Sequence, residues 1–299
     1  MNAALTYHSV GLSNNKYLSN LPSVDVNSFR DQLKILVNNY NLVDVEEFLD
    51  VKSKENILLT FDDGLKCHYD IVAPILHDMN IPAIFFISSG PTIYKEMLMV
   101  HQLQILISES KKNKSLFKDL LNFSVKHCES MDKLLQINPD LHIHQYESIE
   151  YNFIKKSFQI FIDKSIASDF LSSLLERYCQ EDGNLFDHMY LNLDECKEMI
   201  DHGFNIGGHS RSHQWMQYLD KAKIQYELSA DSELFKKLNI PKKYYCYPYG
   251  SFSEDCIEVV KNSGFEYGFT IESGEFNALD SNHFKIKRYD VNEFFNEII

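Results

Sequence analysis

Two short motifs carry the side chains best suited to chemistry. In the first, the adjacent carboxylates Asp62 and Asp63 follow the apolar run 57–61 and precede Gly64. Two charged carboxylates at one strand end repel each other, and a bound cation would remove that cost for one of them. The other would then be available as a general base. Because Asp-Gly is also common in turns and helix caps, this motif alone fits either interpretation.

The second motif is a histidine pair, His209 and His213, preceded by Gly207 and Gly208. On one helical turn, this spacing would point both imidazoles the same way, as a divalent metal requires. The glycines would let the backbone pass close to a ligand. Two surface histidines with no ligand are the alternative. Together with Asp63, the pair forms a catalytic zinc set with one position left for water, and the same donors suit cobalt, nickel or iron.

The elements that must position these motifs alternate between buried strands and helices. Apolar runs predict strands at 3–7, 57–61, 83–87, 204–208, 244–247, 264–270 and 285–291. Helical patterns lie between several of them, among them 221–238, and Asn192 with Glu195 forms a capping box at the start of another. This alternation predicts a parallel sheet that is covered on both faces. The motifs then fall at the carboxyl ends of strands, where α/β folds build their sites.

Between these two α/β parts the pattern changes. The stretch of about 91–188 is rich in Lys, Leu and Ser, has helical periodicity and no convincing strand. We interpret it as a mainly helical insertion. Because Asp63 and the histidine pair lie on opposite sides of it yet must share one metal, we expect residues 1–299 to form a single domain that the insertion interrupts.

The motifs resemble those of the polysaccharide deacetylases of the NodB-homology group, carbohydrate esterase family four. Thr60-Phe61-Asp62-Asp63 matches the T-F-D-D motif, and His209-Ser210-x-x-His213 matches H-[ST]-x-x-H. The R-x-P-Y motif is matched in part, at Pro248 and Tyr249, with Cys246 at the arginine position. The resemblance covers roughly 1–90 and 189–290. It implies an α/β fold, a distorted (β/α)7-type barrel of about seven strands.

The same resemblance assigns roles to residues. It implies that Asp62 is the general base and that the metal ligands are Asp63, His209 and His213. The backbone N–H of Tyr249 would help to form the oxyanion hole, and Pro248 of the same motif would line the substrate site. Trp215 is a further candidate for substrate binding because aromatic rings stack on sugar faces, with core packing as the alternative.

The chain departs from the family pattern at its last motif, L-x-H, whose histidine is the usual general acid. Arg288 stands at that position, and an arginine is too basic to donate a proton near neutral pH. We expect Arg288 to take over the missing arginine's role, which is to position Asp62 and lower its pKa. A plain ion pair of Arg288 with Asp290 or with another surface acid is the alternative. The general acid is then His8, at the end of the first predicted strand, unless His8 only caps the chain or Asp62 carries both proton transfers.

The resemblance implies a metal-dependent hydrolase that removes an N-acyl group from an amino sugar, with N-acetyl as the first candidate. One alternative is a deformylase or an amidase that acts on another small N-acyl substrate. The other is a non-catalytic protein that binds a glycan or a partner, which the two missing family residues would favour.

The composition argues against one class of binding partner. Asp and Glu outnumber Lys and Arg by 43 to 29, which gives a net charge of −14 and makes nucleic acid an unlikely partner. The six cysteines include no C-x-x-C pair, and no window resembles a signal peptide or a membrane span. We therefore expect a cytoplasmic enzyme whose substrate is a nucleotide-linked or lipid-linked amino-sugar precursor of a surface glycan. The sequence does not give the oligomeric state.

Overall fold

The computed structural model describes residues 2–11, 17–18, 21–50, 56–128, 148–179, 185–277, 279 and 282–297. The chain divides into two compact units. The first comprises Met1–Asn14, Pro22–Glu96 and Phe186–Ile299, and the second comprises Asn15–Leu21 and Met97–Leu185. The candidate site residues predicted from the sequence all belong to the first unit.

The described part of the first unit contains eight strands that form one parallel sheet. In chain order they are β1 (Ala3–Tyr7), β2 (Asn41–Leu42), β3 (Asn56–Phe61), β4 (Ala83–Ile87), β5 (Asn205–Gly208), β6 (Tyr244–Cys246), β7 (Tyr267–Phe269) and β8 (Arg288–Asp290). The sheet order is β7-β6-β5-β4-β3-β1-β8, and β2 pairs with β3 outside this order. Every residue of β1, β3 and β4 is buried, as expected for strands covered on both faces.

The last segment of the sheet links its two ends. On one side β8 pairs with β1, and on the other side Ile286 donates its N–H to the carbonyl of Gly268 at 2.8 Å and accepts the N–H of Thr270 at 2.8 Å. The parallel strands therefore close into a barrel, which confirms the predicted fold class. The predicted count of about seven strands becomes eight with the two-residue strand β2.

Eleven α-helices are described, besides short π-helical and 3₁₀ turns. They are α1 (Val26–Asn39), α2 (Val45–Leu49), α3 (Ala73–Asp78), α4 (Met99–Ser110), α5 (Lys114–His127), α6 (Ile149–Lys156), α7 (Lys164–Tyr178), α8 (Leu193–Asp201), α9 (Lys221–Leu238), α10 (Glu254–Asn262) and α11 (Val291–Glu297). Short polar caps set several of their ends. The predicted capping box is present at α8, where Asn192 and Glu195 exchange hydrogen bonds. In the described segments no helix combines the length and the apolar character that a membrane span requires.

The second unit is helical in its described part and has a core of its own. Helices α4 to α7 bury leucine and phenylalanine side chains against one another. The rings of Phe123 and Phe170 stack with their centroids 3.7 Å apart. These helices account for the helical periodicity of the stretch between β4 and β5.

One close backbone approach fixes the edge of the barrel that carries the histidine pair. The N–H of Ser89 donates to the carbonyl of Ser210, and that of Gly90 donates to the carbonyl of Arg211, both at 3.0 Å. A Cβ atom on Gly90 would lie 2.2 Å from the carbonyl oxygen of Arg211. Only glycine therefore permits this contact.

We expect Gly90→Ala to lower the free energy of unfolding by about 1–3 kcal/mol, because the added methyl group would force the two backbone segments apart. Urea denaturation measures this loss. Gln225→Ala on the exposed side of α9 is the control and should change little. Equal stability of Gly90→Ala and the unaltered chain would contradict the close approach.

Candidate metal and catalytic site

The two adjacent carboxylates follow β3 on a tight turn. Asp62 donates its backbone N–H to the carbonyl of Tyr7 at 3.0 Å, which continues the pairing of β3 with β1. Asp63 then takes a left-handed backbone conformation, with φ of 79°, which Asp adopts more readily than most residues. The turn sends the two side chains of Asp62 and Asp63 to different partners, and both side chains are buried.

Asp63 meets the histidine pair. Its Oδ1 lies 3.4 Å from Nε2 of His209 and 3.2 Å from Nε2 of His213. The Nδ1 of His209 lies 2.8 Å from the carbonyl oxygen of Cys246 and donates to it, which leaves Nε2, on the side of Asp63, as the nitrogen that would bind a metal. The ligand atoms of the three residues lie within 4.8 Å of one another. Two imidazoles and one carboxylate that converge in this way fit a divalent transition-metal ion.

The histidines do not lie on a helical turn, and that part of the sequence interpretation is wrong. Residues 209–215 follow β5 as an irregular loop, in which Ser210 has φ of 62° and His213 has φ of 54°. The two imidazoles converge because the loop folds back on itself. The preceding glycines make room within the protein, Gly207 for the ring of Phe86 and Gly208 for the carboxyl group of Asp231.

Asp62 is held by Arg288 of β8. The guanidinium donates from Nη1 to Oδ1 at 2.8 Å and from Nη2 to Oδ2 at 2.7 Å, and the Arg288 side chain is fully buried. Its remaining donors reach the hydroxyl of Thr60 at 2.9 Å and the carbonyl of Thr270 at 2.8 Å. The alternative pairing with Asp290 is not formed, and Asp290 instead accepts the backbone N–H of Asn292.

The ion pair decides the ionisation of Asp62. Burial by itself would raise the pKa of this carboxyl group, but the charge and hydrogen bonds of Arg288 outweigh it, with smaller contributions from His209 and His8. The net effect lowers the pKa of Asp62 to about 2. Asp62 is therefore a carboxylate at any pH near neutrality.

Cys246 occupies the wall beside this pair. Its Sγ lies 3.0 Å from Nη2 of Arg288 and 3.6 Å from Oδ2 of Asp62. Burial raises the pKa of the Cys246 thiol, so this side chain is a neutral, packed thiol and not a thiolate. A small side chain at this position leaves room for the arginine that approaches from β8.

The third motif places aromatic rings next to the histidines. Pro248 is buried and begins the short 3₁₀ turn Pro248–Gly250, in which Tyr249 has φ of 56°. The Tyr249 ring meets the ring of His213 edge to face at 4.5 Å. Trp215 stacks on Tyr249, and the two rings are nearly parallel with their centroids 4.7 Å apart. Trp215 thus lies one ring away from a candidate metal ligand.

His8 follows β1, and its side chain is exposed. Its carbonyl oxygen lies 2.6 Å from Nε2 of His68, which donates to it from the π-helical turn His68–Val72. Burial lowers the pKa of His68 to about 4, so this imidazole stays neutral and anchors the chain at His8. The position of His68, one helical turn after the Asp-Asp-Gly motif, is the sequence signal that points to this contact.

Sequence reasoning missed two acidic residues that hold the loop carrying His209 and His213. Glu227 and Asp231 of α9 are buried and accept hydrogen bonds from that loop. The available signal was a pair of acids four residues apart, on the face of α9 that also carries Ile224, Leu228 and Leu234. Acids at core positions of an amphipathic helix indicate specific buried partners.

We expect Arg288→Met to lower the free energy of unfolding of the metal-free protein by about 3–5 kcal/mol near neutral pH, because it leaves Asp62 as an uncompensated buried charge. The pair stabilises the fold fully above pH 3.8, the ordinary pKa, and loses that contribution as the pH falls towards 2. The deficit of the variant should therefore shrink in acid. Urea titrations at several pH values measure it.

Arg30→Met, on the exposed side of α1, is the matched control and should stay close to the unaltered chain. Adding Asp62→Asn to Arg288→Met should restore part of the lost stability, because it removes the unpaired charge. A deficit that is independent of pH and of Asp62 would contradict the ion-pair explanation.

Comparison with known proteins agrees with this geometry. The model of the polysaccharide deacetylase family matches residues 50–110 and 171–268. The putative polysaccharide deacetylase YxkH of Bacillus subtilis (strain 168) is 27% identical over 86 residues, which are 28% of this chain and 31% of that protein. The match therefore spans about a third of the length of this curated relative.

Solved structures share the fold at low identity. The Streptococcus pyogenes deacetylase PplD, in complex with acetate, superposes with a TM-score of 0.59 at 15% identity, over 97% of this chain and 91% of that one. IcaB from Ammonifex degensii gives 0.59 at 16% identity, over 99% and 94% of the two chains. At such identities the likeness shows the fold alone. The family model, however, spans more than half of the sequence, and the chain therefore belongs to the polysaccharide deacetylase family.

Proposed function

We propose that this protein is a metal-dependent hydrolase that removes an N-acyl group from an amino sugar. The acyl group that we expect first is N-acetyl. The observation that carries the proposal is the convergence of Asp63, His209 and His213 beside an Asp62 carboxylate held by Arg288. Family membership supports the same chemistry. A cation bound by the three ligands would supply Lewis acidity, which polarises an acyl carbonyl. Zinc is our first expectation, and cobalt, nickel and iron suit the same donors.

Asp62 accepts the proton of the attacking water in this proposal. Oxygen of that water forms a bond to the acyl carbon, and the N–H of Tyr249 stabilises the negative charge that develops on the carbonyl oxygen. Arg288 keeps Asp62 ionised and fixes the direction of its two oxygens. Pro248 and Trp215 form the substrate side of the site.

The leaving amine needs a proton when the carbon–nitrogen bond breaks. A carboxyl group with a pKa of about 2 gives up its proton very readily to water, so Asp62 is poorly suited to hold it until the amine leaves. This favours a separate donor over an Asp62 that carries both transfers. We propose His8, whose charge contributes to the low pKa of Asp62 and which therefore lies within electrostatic reach of it. The products are the free carboxylic acid and the amine.

We propose a substrate of the class that the sequence predicts, which is a nucleotide-linked or lipid-linked amino sugar used in surface-glycan synthesis and met in the cytoplasm. Release of formate rather than acetate from a panel of N-acylated amino sugars would favour the deformylase alternative. Release of neither acid, by a protein that binds no metal, would favour a non-catalytic binding protein.

We expect Asp62→Asn to lower kcat by about 10²–10⁴-fold, because it removes the general base. Its metal content should stay equal to that of the unaltered protein, whereas Asp63→Asn and His209→Ala should lose metal. Acetate release and metal analysis on the same samples measure both effects. Glu258→Gln, an exposed carboxylate on α10, is the control for charge loss. Full activity of Asp62→Asn would refute the assignment of the base.

We expect His8→Gln to retain metal and to lose the alkaline decline of the kcat/KM profile that reports the donor's proton. His188→Gln, an exposed histidine elsewhere in the first unit, is the matched control and should keep the profile of the unaltered enzyme. An unchanged profile in His8→Gln would exclude His8 as the acid.

A further inference from the structure

Two buried carboxylates lie directly behind the histidine loop, defined here as residues 209–214. Glu227 and Asp231 stand four residues apart on α9, so their side chains lie next to each other on one face of the helix. Only 1% of Glu227 and 0% of Asp231 is exposed. Burial of acidic groups to this degree is rare unless specific donors satisfy them.

Glu227 binds the middle and the end of the loop. Its Oε2 accepts the backbone N–H of Ser212 at 2.7 Å. Its Oε1 accepts the hydroxyl of Ser212 at 2.5 Å and the side-chain amide of Gln214 at 2.9 Å. Both oxygens of one carboxylate are therefore engaged by the segment that leads into and out of His213.

Asp231 binds the start of the loop. Its Oδ2 accepts the backbone N–H of Ser210 at 3.1 Å, and its Oδ1 accepts the hydroxyl of Ser89 at 2.7 Å. The strand that precedes the loop leaves space for it, because a Cβ atom on Gly208 would lie only 3.2 Å from Oδ2 of Asp231.

The loop needs these anchors because its backbone is unfavourable by itself. Ser210 and His213 both have positive φ, and left-handed backbone costs about 1–2 kcal/mol for each residue other than glycine. The N–H groups of Ser89 and Gly90 also bind the carbonyls of Ser210 and Arg211. The loop is thus held by two elements, through backbone donors of the segment after β4 and through the carboxyl groups of α9.

We propose that Glu227 and Asp231 are positioning residues for the metal ligands, which hold the backbone of Ser210 and Ser212 so that Nε2 of His209 and of His213 both face Asp63. The inference rests on the proposed function, because it assigns a purpose to the convergence of the three ligands. Each of the two carboxyl groups accepts hydrogen bonds at both of its oxygens, which suits groups that must maintain a strained loop.

Two variants of Asp231 separate the effect of its hydrogen bonds from the effect of its charge. Asp231→Ala removes both hydrogen bonds. Asp231→Asn can keep both, since its oxygen can accept the N–H of Ser210 and its amide can donate to the hydroxyl of Ser89. We expect Asp231→Ala and Glu227→Ala to bind zinc about 10–100-fold more weakly, the usual effect of losing an outer partner of a metal ligand. Asp231→Asn should stay within about threefold of the unaltered chain, and Glu258→Gln should match it.

Two measurements test this. Competition with a chromophoric chelator gives zinc affinity, and hydrogen–deuterium exchange of the metal-free protein reports the backbone of residues 209–214. In Asp231→Ala and Glu227→Ala that segment should exchange faster, while β3 and β4 stay protected. If the alanine variants fail to fold, Glu227→Gln serves instead, because an amide cannot accept from every donor that the carboxylate binds. It should show the same two changes to a smaller degree.

Unaltered zinc affinity and unaltered exchange of residues 209–214 in the alanine variants, or in Glu227→Gln where those do not fold, would overturn the inference. So would Asp231→Asn if it behaved like Asp231→Ala, because the hydrogen bonds would then not be the cause. An unaltered protein that binds none of zinc, cobalt, nickel or iron would overturn the proposed function and this inference with it. That result differs from one in which the unaltered chain binds metal and the variants bind it equally well, which would overturn this inference alone.

Discussion

The ion pair between Arg288 and Asp62 joins the last strand of the barrel to the strand that carries the candidate site. Two charges that are buried together are stable only when each satisfies the other, and here all four atoms of the bidentate contact lie within 2.8 Å of a partner. The pair therefore does two things at once. It stabilises the contact between β8 and the β1–β3 edge, and it keeps the candidate base ionised and directed towards the point where Asp63, His209 and His213 converge.

Three residues of the candidate site are each held by a neighbouring group. Arg288 binds the carboxylate of Asp62, the carbonyl of Cys246 accepts from Nδ1 of His209, and His68 binds the backbone carbonyl of His8. Such outer contacts decide the direction of a lone pair or a proton, which the parallel strands alone do not determine. The strand ends bring the right residue types together, and the outer contacts orient them.

Much of the barrel could be predicted because its strands and helices have strong local signals. The apolar runs 3–7 and 83–87 and the helical pattern 221–238 match β1, β4 and α9 at both ends. The histidine loop could not be predicted, since four-residue spacing suggests a helix and nothing local reveals positive φ at a serine and a histidine. The partner of Asp62 was predicted from a departure from the family motifs rather than from any local pattern, because contacts between distant strands leave no periodic trace.

The position of Arg288 in the chain has a consequence for the order of folding. Asp62 leaves the ribosome 226 residues before the arginine that neutralises it. Until β8 docks, a folded β1–β3 edge would bury a carboxylate with no counter-charge, which is unfavourable enough to keep that edge open to water. Closure of the barrel is thus biased to wait until β8 has been made and can dock, because a chain that lacks β8 leaves Asp62 without its counter-charge.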